Sequence, residues 1–427
     1  MGSILKELPE LISNNVITPQ TAKDIERYYA IKKQPEGSTT LLTVFGGLGA
    51  ILVGLGIILI FAHNWDTFPK GIKTMLALLP LFTFQGLTAY TIARNKSHLW
   101  KDASGTLLFF SVGGAMALVA QIYNIPGDLS GFLFMWVLLC APLMYFLRSN
   151  TLALLHIVFS TYYAVEAGYF NPERPWGYLL FVAALLPFYI NKIKHEPESN
   201  TVSIFSWLLP LSLIITMGSF LDGVGEFGFL IYMTLLCLLY NIGRLPYFTE
   251  RKLRRNGYLC LGITGMAVVL LITSFRDVWK GLQGDKLALV YFITLWGMLF
   301  AGAVYLMVNK KQKLFKDGFQ AVTIIFPLIY LMGMFNGAIA AIACNLLVLA
   351  MGILCIKEGI DKLDFKVLNF GLVVISALII CRFFDTEISF AVRGLLFVAV
   401  GVGFFLANYL LIRKKRNSPI NTLHHEN

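Results

Sequence analysis

The chain has 427 residues, of which 57% are hydrophobic and only 14% charged, and its mean hydropathy is +0.70. A soluble core cannot bury so many long apolar segments, so this composition argues against a soluble globular protein and indicates that lipid surrounds much of the chain. The net charge of +11 does not indicate nucleic-acid binding. The basic residues fall in short loops between apolar segments, where such residues set topology and meet anionic lipid.

The cysteines and glycines of the chain do not form the patterns of a metal or cofactor site. All six cysteines fall within apolar segments without a Cys-X-X-Cys pair, which is typical of small buried hydrophobic residues. In the first apolar segment Gly46, Ala50 and Gly54 recur every four residues, and no Gly-Lys-Ser/Thr follows. This spacing predicts a close helix contact, not a phosphate loop. We therefore predict no metal and no cofactor.

Residues 1–40 predict a small helical element ahead of the first apolar segment. One apolar face runs from Ile4 to Ile12 and ends at Asn14-Asn15. Thr18 followed by Pro19 is typical of the start of a second helix. Since no cleavable signal peptide is recognised, we expect the first apolar segment to act as the insertion signal and the element to lie in the cytosol. A helical hairpin on the membrane surface or on the protein is favoured over a docking element.

About 14 apolar segments follow, each with at most one charged residue and a length that approaches the ~20 residues of a membrane-crossing helix. In chain order they are 41–62, 74–93, 105–123, 129–147, 151–169, 177–193, 203–220, 227–243, 257–274, 288–308, 319–335, 338–356, 365–381 and 393–412. The predicted fold class is therefore all-α: a polytopic transmembrane helical bundle over residues 41–412, followed by a basic cytosolic tail at 413–427.

The distribution of lysine and arginine predicts which side of the membrane each loop occupies. With the N-terminus in the cytosol, the cytoplasmic segments hold 27 of the 35 Lys and Arg residues and the outer loops hold 8. One missing or additional span would invert every later loop and remove this separation. The predicted topology therefore places both termini in the cytosol.

Three hairpins on the predicted outer side share an aromatic or amide residue, an aspartate, and then a basic residue before glycine. They begin at Asn64-Trp65-Asp66, Phe275-Arg276-Asp277 and Phe383-Phe384-Asp385. All three would enter from the cytoplasm, so an internal repeat would be parallel. Independent convergence on interfacial aromatic and charged residues would give the same pattern, and the residues leave both interpretations open.

A ligand-binding pocket open to the outside is predicted from these hairpins and from a further outer turn, Gln121–Asp128. Aspartate is too short to extend far toward water from the end of a span, so aspartate–arginine pairs lining a polar pocket would satisfy the charges. The predicted members are Asn64, Trp65, Asp66, Gln121, Tyr123, Asp128, Arg276, Asp277, Arg382, Asp385 and Arg393. A structural ion-pair network with interfacial anchors is the alternative.

The predicted membrane centre contains no Asp, Glu, Lys or Arg. Ion- and proton-coupled transporters usually place ionisable groups at this depth, so their absence disfavours that class and leaves open a site made of amides and backbone. The polar residues expected to be buried there are Gln85, His156, Asn345 and Asn408. We expect His156 to form an interhelical hydrogen bond and not a proton relay.

Several motifs in about the first 150 residues resemble one family. They are Gly46–Lys73, with Asn64-Trp65-Asp66 after a glycine-rich helix, then Gln121-Ile122-Tyr123, Gly127-Asp128, Trp136 and Pro142-Leu143, with Val16–Gln20 and Tyr28-Tyr29 ahead of them. These residues resemble the domain-of-unknown-function family twenty-one fifty-seven, bacterial predicted membrane proteins. The resemblance implies a multi-pass protein of the bacterial inner membrane and supplies no catalytic residues. The C-terminal motifs Lys357-Glu358-Gly359, Arg382-Phe383-Phe384-Asp385 and Arg393-Gly394 are similar to a related family of unknown function.

The leading functional hypothesis is a transporter or flippase-like carrier with the polar pocket at its periplasmic face. Its expected partners are membrane lipids and an unidentified small-molecule or lipid ligand. The alternative is a non-transporting membrane scaffold or envelope-associated component, which would contact partners through the N-terminal helices. An intramembrane enzyme using the outer aspartates ranks third, because such enzymes usually carry longer outer loops or soluble domains. We therefore assign no catalytic residue and favour a non-enzymatic role.

Overall fold

The computed structural model describes residues 4–14, 16–32, 65–171, 173–221, 225–249, 251–280, 286–308 and 318–383, with single positions between 391 and 409. Every regular element in these ranges is helical, which confirms the predicted all-α fold class. The predicted first span at 41–62 lies outside the described residues, as do most of the last span at 393–412 and the basic tail. Chain contacts define two compact units, Met1–Leu76 and Ala77–Asn427.

In the first unit, α1 (Ile4–Ser13) and α2 (Pro19–Lys32) pack as a hairpin. Leu8 on α1 and Ala22 on α2 are buried. Helix α2 begins as predicted, because the Thr18 hydroxyl accepts a hydrogen bond from the Thr21 N–H at 3.1 Å. The helical hairpin expected from the sequence is therefore present.

Twelve longer helices follow α2 in the described part of the chain. They are α3 (Lys70–Ala93), α4 (His98–Tyr123), α5 (Leu129–Cys140), α6 (Asn150–Val165), α7 (Trp176–His195), α8 (Asn200–Met217), α9 (Gly228–Gly243), α10 (Gly257–Thr273), α11 (Lys286–Val308), α12 (Gly318–Phe335), α13 (Gly337–Asp361) and α14 (Phe365–Phe383). Each of the twelve predicted spans that fall in the described ranges contains one of these helices over most of its length.

By length and hydropathy, eight of the described helical segments can cross a membrane. They are α3, α4, α7, α12, α13 and α14, with Leu129–Phe146, which includes α5, and Asn200–Phe220, which includes α8. Three apolar helices are shorter: α9, α10 and Phe292–Leu306 within α11. Multiple apolar spans are thus present, while the count of about 14 and the orientation stay predictions.

One apolar core runs through the second unit, from Phe109 on α4 to Leu378 on α14. Helix α9 lies at its centre, since twelve of its 16 residues are buried against neighbours that include α10, α11 and α12. This burial explains how a helix shorter than a usual span is accommodated, because protein and not lipid surrounds most of its surface.

Glycines bring neighbouring helices into backbone contact at several crossings. On α14, a Cβ added to Gly371 would lie 2.7 Å from the carbonyl oxygen of Gly352 on α13. A Cβ on Gly359 would lie 2.5 Å from the backbone nitrogen of Leu368. Small residues allow such close approach in membrane bundles, where dispersion contacts replace the hydrophobic effect. The small-residue stripe predicted at 46–54 lies outside the described residues.

Candidate functional site

A cavity of about 750 Å³ opens between α3, α4 and α5. We name it the α3–α5 groove. Its apolar lining includes Leu78 and Leu81 from α3, Met116 and Val119 from α4, and Phe132 and Met135 from α5. Helix α3 buries few of its residues in the protein, so the space beside it is not filled by packing. The groove is therefore a large, mainly apolar space beside helices that are long enough to cross the membrane.

The turn that joins α4 to α5 forms one end of the groove. Asn124 adopts a left-handed conformation (φ 49°) at the C-terminus of α4, and the Asp128 carboxylate caps α5. That carboxylate accepts hydrogen bonds from the Ser130 hydroxyl and from the Gly131 N–H, the latter at 3.3 Å. The bond from Ser130 is the main cause that lowers the pKa of Asp128 below its ordinary value of 3.8. The groove thus ends at a fixed negative charge at neutral pH.

Gln85 supplies a second polar group to the groove, from the wall formed by α3. The prediction that Gln85 is buried is wrong, because neighbouring helices cover only a narrow edge of α3 and leave this side chain exposed. Within the described part of the chain, its amide has no hydrogen-bond partner. An unpaired amide facing hydrocarbon is costly, so a polar group placed in the groove would be stabilised here.

The predicted pocket residues fall into separate groups. Gln121, Tyr123 and Asp128 are all exposed around the α4–α5 turn, and Asp128 lines the groove. In the first unit, Trp65 and Asp66 lie in a 3₁₀ turn, with Lys73 Nζ 5.7 Å from the centre of the Trp65 ring. Asn64, Asp385 and Arg393 lie outside the described residues.

A further group joins the ends of α10 and α14. Arg276 and Asp277 are exposed in the 3₁₀ turn after α10, where Lys280 Nζ lies 2.5 Å from the Asp277 carboxylate. This hydrogen bond is the main cause that lowers the pKa of Asp277, and the charge of Arg276 adds to it. From α14, Arg382 packs 4.4 Å from the Phe275 ring centre and donates to the Ser274 hydroxyl at 3.1 Å.

The structure therefore brings Arg276, Asp277 and Arg382 to one neighbourhood. Asp128 takes its described hydrogen bonds from its own turn, and its pairing with an arginine stays a prediction. Convergence of all the predicted outer hairpins on a single pocket likewise stays a prediction.

Two of the polar residues expected at depth have interhelical hydrogen bonds. His156 on α6 is buried, with Nε2 2.9 Å from the carbonyl oxygen of Phe181 on α7. Asn345 on α13 donates through Nδ2 to the Ser274 carbonyl oxygen at 3.0 Å. These contacts confirm the bridging role expected of His156 and extend it to Asn345. Asn408 lies outside the described residues.

Sequence reasoning did not select Arg244 and Glu358, which border two smaller cavities of about 310 and 270 Å³ near the ends of α9 and α13. Both cavities are also bordered by Phe319 from α12. Glu358 pairs with Lys362 one turn along α13. The motif Lys357-Glu358-Gly359 was a signal for this place, since it carries charges at the end of a long apolar segment.

Helices of this length and hydropathy, packed around one apolar core, define a multi-span helical membrane protein. Residues 9–153 match the family described as "Predicted membrane protein (DUF2157)". This match confirms the resemblance found in the first part of the sequence. It covers α3 to α5, the helices that form the groove. No curated protein and no solved structure matches the chain.

Proposed function

We propose that the protein is a carrier for a lipid-like amphiphile, which binds in the α3–α5 groove. The observation that carries this proposal is the pairing of a long apolar wall with polar groups at separate places, Gln85 and Asp128. A cavity of about 750 Å³ is within the range of small-molecule sites, which are typically apolar with a few placed polar groups.

The chemistry of the groove favours an occupant with an apolar chain and a hydrogen-bond-donating head. Side chains such as Met135 and Leu139 offer contact area to an acyl or isoprenoid chain. The ionised Asp128 accepts hydrogen bonds, so it suits a hydroxyl or ammonium head group. The Gln85 amide both donates and accepts, so it suits a head group at a second position along the same wall.

This arrangement suits a carrier in which the polar head group of the ligand moves along the groove while its apolar acyl or isoprenoid chain stays in the surrounding lipid. Under the predicted topology the α4–α5 turn lies at the periplasmic face of a bacterial inner membrane, so Asp128 would meet the head group there. Gln85 would offer a polar contact farther along α3. The mechanism requires no ionisable residue at the membrane centre, in agreement with the composition of the predicted spans.

A groove-filling substitution tests the proposal. In Met135→Trp a larger ring occupies the space of the ligand, whereas Leu138→Trp adds the same ring to an exposed position of α5 outside the groove lining. The assay measures transfer of fluorescent phosphatidylethanolamine between leaflets of proteoliposomes that contain the full chain. We expect Met135→Trp to slow transfer about tenfold, equivalent to ~1.4 kcal/mol, and Leu138→Trp to resemble the wild type.

Two results would contradict the proposal. If liposomes containing the wild-type protein moved lipid no faster than protein-free liposomes, the protein would not be a carrier. Partner proteins that co-purify with it would then favour a scaffold. Equal loss in both tryptophan variants would show that the α3–α5 groove has no special role. Melting temperatures of both variants, compared with that of the wild type, serve as the folding control.

A further inference from the structure

A basic cavity of about 340 Å³ lies between the loop that joins α7 to α8 and the loop that precedes α10. Its lining residues are Glu198, Arg251, Lys252, Arg254 and Arg255. We name it the 251–255 cavity. Helices α7 and α8 are long enough to cross the membrane and end beside it. If these helices cross the membrane, their ends would place the cavity at the level of the lipid head groups.

Two of the arginines are held in place by the opposite loop. Arg251 lies 3.0 Å from the Glu198 carboxylate, stacks 4.2 Å from the Tyr247 ring centre, and has a side chain only 10% exposed. Arg255 lies 2.8 Å from the other carboxylate oxygen of Glu198. A single carboxylate thus bridges two guanidinium groups and fixes the walls of the cavity.

The backbone of the basic loop is anchored as well. Trp207 on α8 donates its indole N–H to the Arg254 carbonyl oxygen at 2.9 Å, and the Ser206 hydroxyl donates to the Arg255 carbonyl oxygen at 3.1 Å. The Asn256 side chain caps α10 through the Leu259 N–H at 3.1 Å. The loop is therefore preorganised, which lowers the ordering cost of binding.

The charges in this cavity are not balanced. One carboxylate faces four cations, and the exposed side chains of Lys252 and Arg254 have no hydrogen-bond or ion-pair partner within the described part of the chain. Arginine suits phosphate through its planar fork of donors, and lysine adds a point charge. Indole groups such as Trp207 are common at the head-group level. A phosphate oxyanion would complete the charge balance.

We infer that the 251–255 cavity binds the phosphate of an anionic phospholipid, with Lys252 and Arg254 as its direct contacts and Glu198 holding Arg251 and Arg255 as its walls. Basic cavities between membrane helices are suited to such head groups. This site is separate from the α3–α5 groove and would hold a resident lipid whether or not the protein is a carrier.

The test titrates the full chain in neutral detergent with short-chain phosphatidylglycerol, phosphatidylcholine or inorganic phosphate at constant ionic strength, and counts bound lipid by native mass spectrometry. The variant is Lys252→Ala/Arg254→Ala. The matched control, Arg94→Ala/Lys101→Ala, removes one cation directly after the end of α3 and one in the first turn of α4. The predicted topology places both of these cations on the cytoplasmic side, the same side as the 251–255 cavity. We expect phosphatidylglycerol to bind the cavity variant about 30-fold more weakly than it binds the wild type. The control variant should bind it with the affinity of the wild type.

Each remaining outcome decides against the inference. Equal weakening in both variants would indicate general surface charge, and equal binding of phosphatidylcholine would show that the anionic head group is not recognised. If inorganic phosphate bound as tightly as phosphatidylglycerol, the cavity would be a site for free phosphate, and the inference of a bound phospholipid would be wrong. Lys252→Gln/Arg254→Gln repeats the comparison with neutral polar side chains if the alanine variant does not fold.

Discussion

Asp128 combines two roles at the scale of a single residue, because its carboxylate caps α5 and also borders the α3–α5 groove. Aspartate and asparagine both cap helices well, since each has an oxygen that accepts the orphan N–H groups of the first turn. The charge of Asp128 is therefore not required for the cap itself. The charge would instead strengthen the binding of a cationic head group, such as an ammonium, at the end of the groove.

We predict that Asp128→Asn removes an acid-dependent part of the protein's stability. The pKa of Asp128 in the folded protein is lowered, so the ionised group stabilises the fold at pH values above 3.8. That contribution is lost as the pH falls through the lowered folded-state pKa. Asparagine does not titrate, so the difference in melting temperature between wild type and variant should shrink as the pH falls from about 5 through the lowered folded-state pKa. A difference that stays constant over this range would contradict the prediction.

The polar residues at depth show how far residue-level prediction reaches. Their presence in apolar segments was clear from the sequence, and His156 and Asn345 do bridge helices. The exposure of Gln85 was not predictable, because a membrane helix is apolar on every side and its pattern does not mark the face that neighbours cover. Only the packing of α3 decides that face. The charges of Arg244 and Glu358 were visible in the sequence, but their meeting at the same cavities depends on how α9, α12 and α13 pack.

At the scale of helices, the backbone contact between α13 and α14 can be tested by substitution. A Cβ on Gly371 would meet the Gly352 carbonyl oxygen and, at 2.9 Å, the Ile356 nitrogen. Both are backbone atoms, so the helices must separate to accept it. We predict that Gly371→Ala destabilises the fold by roughly 1–3 kcal/mol, measured as a lower melting temperature in detergent.

Gly297→Ala on α11 is the matched control for this substitution. A Cβ at Gly297 meets no atom within 4 Å, and alanine is preferred over glycine inside a helix by up to ~1 kcal/mol. The control should therefore be neutral or stabilising. If both alanine variants melted at the same temperature, close contact between α13 and α14 would not limit stability.

Helix starts and ends were predictable where side chains form caps or breaks, as at Thr18-Pro19 and Asn14-Asn15. The end of α6 was not. The sequence predicts a regular span over 151–169, whereas α6 ends at Val165 and continues as a π-helix, Glu166–Phe170. The reason is tertiary: a Cβ on Gly168 would lie 2.0 Å from the Ser219 side chain, and the Tyr169 hydroxyl donates to the Ile215 carbonyl oxygen. Such contacts have no local sequence signal.

At the scale of the whole molecule, the central position of α9 explains the different lengths of the helices. A helix that faces lipid must be long enough to cross the hydrocarbon core, whereas a helix enclosed by protein can be shorter. Counting charge-free segments treats both kinds equally and so predicts about 14 spans. Length and hydropathy select eight among the described residues. Shorter helices such as α9 and α10 account for part of that difference.

The topology prediction can be decided by the side on which two turns lie. Six predicted spans separate Gly127 from Asp277, so an N-in chain places both residues outside and Arg254 inside. In intact cells, a membrane-impermeant thiol reagent should label Gly127→Cys and Asp277→Cys, and should label Arg254→Cys only after permeabilisation. Native cysteines are a small background, because all six are buried or half-buried.

Three of the helices between Gly127 and Asp277 are short: α6, α9 and α10. If one of these helices failed to cross the membrane, Gly127 and Asp277 would be labelled from opposite sides. The predicted division of lysine and arginine between cytoplasmic and outer loops would then be wrong.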